Sequence, residues 1–352
     1  MVSNFMGFLL SPLSFLWDFI HRLRRFFYYY GLFPQNDFQV PIISIGNLTF
    51  GGTGKTPFTL WLGSWLLENQ KRVMVLTRGY KGKLENSSGI IRAGRRLGFN
   101  PNEYGDEASL LARRLKNATI VVGKNRSANL DFFFESEKPD VVLLDDGHQH
   151  LKLGRDLNIV LFDSTMPFES YKVAPSGYMR ENFQALQDTS VVVFTRADQV
   201  DEEKIERLKE KINPYISKDA IFVRMKYQAS GLYDLGYRKK FDLSDLKDKT
   251  VIAVAGIASP GSFYKILEEN GAELVEKISY PDHHYFKPTE MEDILAKAAH
   301  HEAIVVTTEK DMVKMRRIVD DNRIVYLEIS TSFIEGEEKL KQLLSRVLDF
   351  QM

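Results

Sequence analysis

VPIISIGNLTFGGTGKTP, residues 40–57, decides how the rest of the chain is placed. Residues 40–45 are a short apolar, β-branched run that predicts a buried strand. Thr49 and Phe50 lead into Gly51, Gly52, Thr53, Gly54, Lys55 and Thr56, and an apolar helical pattern follows. Glycines let backbone N–H groups curl around phosphate oxygens, a lysine reaches the outer phosphates, and a threonine hydroxyl suits Mg²⁺. The strict P-loop spacing asks for glycine at position 49, where this chain has Thr49. A strand before and a helix after favour nucleotide phosphate binding over a glycine-rich turn.

The 352 residues suffice for one large or two ordinary domains. Lys+Arg and Asp+Glu both number 47, so the net charge is zero and a general nucleic-acid binder is not expected. There is no cysteine, which excludes disulfides, thiolate zinc sites and cysteine nucleophiles.

Upstream, residues 1–17 carry no charge and are rich in Phe and Leu. Then come His21, Arg22, Arg24, Arg25 and the aromatic run Phe26–Tyr30. The uncharged run is short for a full span, and Pro12 interrupts it. A monotopic interfacial anchor is expected, over a soluble amphipathic helix, a full span or a signal peptide.

Downstream, residues 57–68 predict a helix and 72–77 a strand whose carboxyl end carries Arg78, Gly79 and Tyr80. Ligands of open α/β sheets gather at that edge. Residues 81–102 are polar and Gly-rich and read as a loop, with a short hairpin as the alternative. Gly105-Asp106-Glu107 opens a helix, where Asp106 is either a cap or a functional group. Residues 140–144 predict a strand ending in Asp145-Asp146-Gly147-His148-Gln149-His150. An acidic residue at such a place is the Walker B arrangement for Mg²⁺, with a solvated turn as the plain alternative. Two strands, 157–162 and 190–194, flank an irregular loop, 166–184, that contains Arg180 and Glu181. Thr195-Arg196-Ala197-Asp198 weakly resembles a guanine-reading motif and is expected to be a strand-end turn. A ribbon near 213–248 leads to a second α/β unit. It contains Asp282-His283-His284 after a strand and Thr308-Glu309-Lys310-Asp311 as a capping-box pattern. The histidine pair lacks a third nearby ligand for zinc.

Together SIGNLTFGGTGKTP, TRGY, YGDEA, DDGHQH, APSGYMRE, PDHHYF and TTEKD, in that order, resemble the lipid A 4′-kinase (tetraacyldisaccharide 4′-kinase) family. The resemblance covers nearly the whole chain. One departure is His148, where the family usually has a bulky aromatic.

The resemblance implies an α/β fold. Its core is a P-loop NTPase-like, mostly parallel sheet flanked by helices, with an N-terminal membrane-associated helix and a second, smaller α/β domain. The expected division is 1–35, 36–215, 216–248 and 249–352. It implies transfer of the γ-phosphate of ATP to the 4′-hydroxyl of a tetraacyldisaccharide 1-phosphate, with Mg²⁺, on the cytoplasmic face of the bacterial inner membrane. Neither nucleic acid nor an obligate protein partner is expected. Asp106 would be the general base and His283 its orienting partner. Lys55 would stabilise the transferred phosphoryl. Thr56, Asp145, Asp146 and Glu181 would hold metal, and Tyr80, Gln149 and Arg180 would contact substrate. The competing expectations are a P-loop ATPase or GTPase acting as an assembly factor or switch, and a membrane kinase for another small hydroxyl substrate.

Overall fold

The computed structural model describes residues 4–94 and 100–349. The first three residues of the expected anchor, residues 95–99 of the polar loop and the last three residues lie outside these.

The first unit contributes strands β1 (Ile42–Asn47), β2 (Val73–Thr77), β3 (Gly89–Ile91), β4 (Thr119–Val122), β5 (Val141–Asp145), β6 (Leu157–Asp163) and β7 (Val191–Thr195). The ribbon is β8 (Ile221–Asp234) and β9 (Lys239–Phe241). The second unit contributes β10 (Thr250–Ala255), β11 (Glu273–Ser279), β12 (Ile304–Thr308) and β13 (Ile324–Glu335). All join one sheet in the order β11-β10-β12-β13-β8-β7-β6-β1-β5-β2-β4-β3, with β9 paired to β8. Pairing is parallel except at β3–β4, β8–β9 and β8–β13. The Val/Ile/Leu runs explain this, since β1, β2, β4, β5 and β7 are buried along their whole length, as strands covered on both faces must be.

β1 lies between β5 and β6, with Ile45 in register with Asp145. The phosphate-binding loop and the Asp145-Asp146 turn therefore leave the sheet side by side. The expected ribbon is the seam of the molecule. β8 starts parallel to β7 and continues antiparallel to β13, which fuses the two units edge to edge. The last helix, Glu337–Asp349, returns across this seam. Its Leu340 and Leu344 are fully buried in a cluster with Val193, Val223 and Met225. Each such burial contributes about 1.5–3 kcal/mol, so the helix clasps the seam.

The N-terminal helix is Asn4–Tyr29, with Pro12 inside it. It exposes Leu13, Phe15, Leu16, Phe19 and Ile20 to solvent, while Arg25 on the other side is buried. No helix among the described residues is long and apolar enough to cross a membrane.

Candidate active site

The phosphate-binding half of the site follows from β1. The helix Lys55–Glu68 starts after Gly54, which sits in the left-handed region with φ 85°. A Cβ at Gly54 would overlap the Tyr227 hydroxyl on β8, so glycine is required there for both backbone and space. The expected strand-end turn at 195–198 braces this loop: the Thr195 hydroxyl donates to the Thr53 carbonyl at 3.1 Å. Gly51 has φ 101° and, like Gly52 and Phe50, is exposed. Thr56, half-buried, is the second residue of the helix.

Around this loop the irregular segment 166–184 folds back. Thr49 bridges Met179, the Phe50 N–H donates to the Tyr178 carbonyl at 2.7 Å, and the Arg180 guanidinium stands 5.5 Å from the Phe50 ring. Lys55 Nζ lies 3.3 Å from Asp146 Oδ1 and 3.2 Å from Asn47 Oδ1. Arg180 donates to both Asp146 oxygens at 3.1 Å and to Gln149 Oε1 at 3.3 Å. Gln149 Nε2 donates to the Asn47 carbonyl at 3.0 Å, tying the Walker B turn to β1.

The two aspartates are not equivalent. Asp145 accepts hydroxyl hydrogen bonds from Thr59 at 3.1 Å and Thr77 at 3.2 Å. Burial, with Glu107 and Asp146 nearby, pushes its carboxyl up to about 6. Asp146 has φ 50° and turns toward cations. Burial works against its charge, but Lys55, Arg180 and Arg126 hold it well below the usual carboxylate range. Adjacent carboxyls with opposed shifts are the pattern of a candidate functional site.

Glu181 is buried and ion-paired to Arg25 of the N-terminal helix, outside the Lys55–Asp146–Arg180 contacts. Its Oε1 is buried without a hydrogen-bond partner. That helix also reaches the site through Trp17, which donates to the Arg180 carbonyl at 2.9 Å, and Arg24, which donates to the Gln149 carbonyl at 3.0 Å. Arg25 further donates to the His148 carbonyl at 3.2 Å. His148 itself is fully buried, with Nδ1 3.4 Å from Asn158 Nδ2, so the departure from an aromatic is accommodated as a neutral core histidine.

The second half spans the two units. Asp106 is the first residue of the helix Asp106–Arg114, and Gly105, with φ 86°, occupies the cap position. The cap position is thus not Asp106's, although its Oδ1 also accepts the Glu107 N–H at 2.9 Å. It is buried, and both its oxygens lie 3.0 Å from His283 Nδ1. His283 has φ 60°, a conformation uncommon for a residue with a side chain. Burial disfavours the Asp106 charge, yet the His283 hydrogen bond, Lys310 and Lys314 lower its pKa to about 2. Tyr80 packs edge-on against His283 at 5.0 Å, and its own ring is exposed. The neighbouring His284 is a packing residue, stacked on Tyr280 at 4.4 Å and bound to Glu290 at 3.0 Å.

Four residues were not legible as site members. Arg126 is buried behind the Asp145–Asp146 pair, and Lys310, Lys314 and Glu107 surround Asp106 and His283. Lys310 lay in the quoted TTEKD stretch, where a capping pattern accounted for Thr308 and Asp311. Arg126 sits inside an ordinary helix start and carried no signal. Among the described residues no group of three or more His, Asp or Glu side chains is gathered as a ready-made metal cage.

Comparison with known proteins bears on the whole chain. The family profile described as tetraacyldisaccharide-1-P 4′-kinase covers residues 6–349. A Pelobacter propionicus protein named tetraacyldisaccharide 4′-kinase is 37% identical over 308 residues, 87% of this chain and 82% of that one. Its namesake from Halothermothrix orenii is 32% identical over 358 residues, 96% of this chain and 92% of that one. The crystal structure of an Aquifex aeolicus LpxK in complex with ATP aligns with a TM-score of 0.77 at 30% identity, over 97% of this chain and 99% of that one. The chain belongs to the tetraacyldisaccharide-1-P 4′-kinase family.

Proposed function

We propose that the protein transfers the γ-phosphoryl group of ATP to the 4′-hydroxyl of a tetraacyldisaccharide 1-phosphate in lipid A assembly. The observation that carries this assignment is the contact between Asp106 and His283, a base pair set across the two units beside a phosphate-binding loop. A nucleotide switch without a lipid acceptor has no use for that pair, and family membership disfavours it.

In this assignment the P-loop residues 49–56 hold the triphosphate, and Lys55 neutralises charge on the transferred group. Asp106 is ionised at neutral pH and takes the proton of the 4′-hydroxyl as its oxygen attacks the γ-phosphorus. The bond to the β–γ bridging oxygen breaks and ADP leaves. His283 orients Asp106 and limits its freedom. Arg180, released from Asp146, receives phosphate oxygens with Gln149 beside it, while the exposed Tyr80 contacts the acceptor.

The donor set suits Mg²⁺, because Thr56, Asp145 and Asp146 offer hard oxygen ligands and Glu181 keeps one buried oxygen unpartnered. When bound, such an ion would supply neutralisation of charge on the phosphates. Asp146 and Thr56 are assigned as its direct holders. Glu181 is assigned an outer place because Arg25 already engages it.

The N-terminal helix is assigned as a monotopic anchor on the cytoplasmic face of the inner membrane. The exposed Phe15 and Phe19 support this, as do the basic residues that follow. It would hold the site at headgroup height, where an acylated sugar presents its hydroxyl.

The direct test is incubation with γ-labelled ATP and tetraacyldisaccharide 1-phosphate. Label in the lipid phase, at the 4′ position, is expected. ATP hydrolysis of equal rate without the lipid, and no lipid label, would favour the switch.

A further inference from the structure

His283 offers its two ring nitrogens to different partners. Nδ1 lies 3.0 Å from both Asp106 oxygens. Nε2 lies 3.3 Å from Lys310 Nζ and 3.6 Å from Asp282 Oδ2. A neutral imidazole has one donor and one acceptor nitrogen, and a contact on one nitrogen decides the state of the other. An ammonium has three donors and no lone pair. Nε2 can therefore meet Lys310 only as an acceptor, which leaves the proton on Nδ1.

Lys310 is held in that place. Its Nζ is 3.2 Å from Glu107 Oε1 and 3.3 Å from Asp282 Oδ1, two carboxylates that keep it charged. The competing arrangement would direct Nε2–H to Asp282. That contact, to Oδ2, is 3.6 Å and longer than the 3.3 Å to Lys310, while Asp282 Oδ1 accepts the His283 backbone N–H at 3.0 Å and Lys310 at 3.3 Å. The charged or polar groups facing the ring are thus Asp106 on one helix, Lys310 on another with Glu107 paired to it, Asp282 on its own turn, and Tyr80 at the strand end. Lys314 completes the surroundings, 3.6 Å from Asp106.

We propose that Lys310 is a positioning residue that fixes His283 as the neutral, Nδ1-protonated tautomer. Its ring then donates to Asp106 and leaves the carboxylate free to accept the acceptor hydroxyl's proton. The proposal rests on the assignment of Asp106 as the base. It makes His283 an orienting donor that neither gains nor loses a proton during transfer. The hydroxyl proton resides on Asp106 afterwards. Without Lys310, Nε2 is free to hold a proton, and an imidazolium between Asp106 and Asp282 would weaken Asp106 as a base.

The experiment is ¹⁵N NMR of the full chain labelled at histidine, with the His283 signals identified by their loss in His283→Gln. In the native protein at pH 7–8, Nδ1 is expected to be protonated and Nε2 unprotonated. Lys310→Met is expected to move Nε2 to the protonated state and lower kcat about tenfold or more, with KM for ATP within about twofold. Lys310→Arg is expected to restore both the spectrum and most of the rate, which also separates the effect from misfolding. A native Nε2 that is protonated, or a Lys310→Met spectrum identical to the native one, would overturn the proposal. The spectrum does not depend on catalysis. If Asp106→Asn retained wild-type transfer while the tautomer stayed as expected, the base assignment would fail and the role of Lys310 on the ring would stand.

Discussion

The two halves of the cleft are built on opposite plans. The phosphate-binding half takes Lys55, Asp145, Asp146, Gln149 and Arg180 from one unit. Its contacts are fixed by the register of β1 against β5 and by one folded-back loop. The half to which the base is assigned joins residues 177 positions apart, Asp106 from the first unit and His283 from the second. The first half depends on a local strand-loop-helix geometry. The second exists only while the two units are held together. The glue is visible: Arg114 contacts Glu309 and Glu328 at 3.1 Å each, Arg113 pairs with Glu309, and the Arg113 guanidinium donates to the Tyr326 hydroxyl at 3.0 Å. These arginines sit at the far end of the helix that Asp106 begins, so docking and base placement share one rigid element.

Substitutions should separate the halves. The largest effect is expected for Asp106→Asn, a loss of kcat of roughly 10²–10⁴-fold with unchanged ATP affinity, measured by transfer assay and nucleotide titration. Lys55→Met should instead weaken ATP binding and transfer together, by about 10²-fold in kcat/KM, because donor charge loses its counter-charge. Should Lys55→Met leave nucleotide affinity intact, the division of labour would be wrong.

Glu309→Gln addresses the glue. It leaves Arg113 and Arg114 short of a buried partner and should cost about 3 kcal/mol of stability. A kcat drop of roughly tenfold is expected with ATP binding retained, since the displaced base misses its geometry. Calorimetry and steady-state rates check the two parts.

A smaller, pH-dependent contrast involves the carboxylates. Asp145 has its pKa raised to about 6 in the fold. A raised acid pKa means the native state binds the proton more readily than the unfolded chain, so stability falls as pH rises from about 4 through 6. Asp145→Asn should therefore stabilise the nucleotide-free protein at pH 8, by about 3 kcal/mol at most, and by less at pH 4.5. Asp106 has the opposite sign. Its pKa is lowered to about 2, so its contribution is present above about pH 4 and is lost as pH falls toward 2. Melting temperatures of the two asparagine variants across pH should cross in this sense.

The smallest effect on chemistry is expected at the anchor. Phe15→Ser with Phe19→Ser should reduce binding to phosphatidylglycerol vesicles about tenfold or more, while kcat on detergent-dispersed acceptor changes less than about twofold.

The same division explains what the sequence alone could convey. β1, the P-loop and the Asp145-Asp146 turn were legible because periodicity and local motif chemistry determine them. The strand came two residues later than expected, at Ile42–Asn47, and the helix began at Lys55 instead of residue 57. Asp106 looked like a helix cap, and only its resemblance to a known pattern raised it above that. The structure gives the cap to Gly105 and turns Asp106 to His283. Lys310 and Glu107 lay inside quoted stretches without a role legible there, and Arg126 gave no local signal, because their partners come from other elements. The antiparallel β8–β13 seam was likewise hidden, since a 14-residue strand that pairs with β7 over its first four residues and with β13 over the rest shows no simple alternation.

The central claim is that Asp106 and His283 act as one unit across the seam, and a double-mutant cycle on kcat tests it most directly. Asp106→Asn, His283→Ala and the double variant are compared with the native protein under saturating ATP and acceptor. The expected result is strong non-additivity, with the double variant no slower than the slower single variant to within about threefold. Losses that multiply would contradict the account, because each side chain would then be acting without the other.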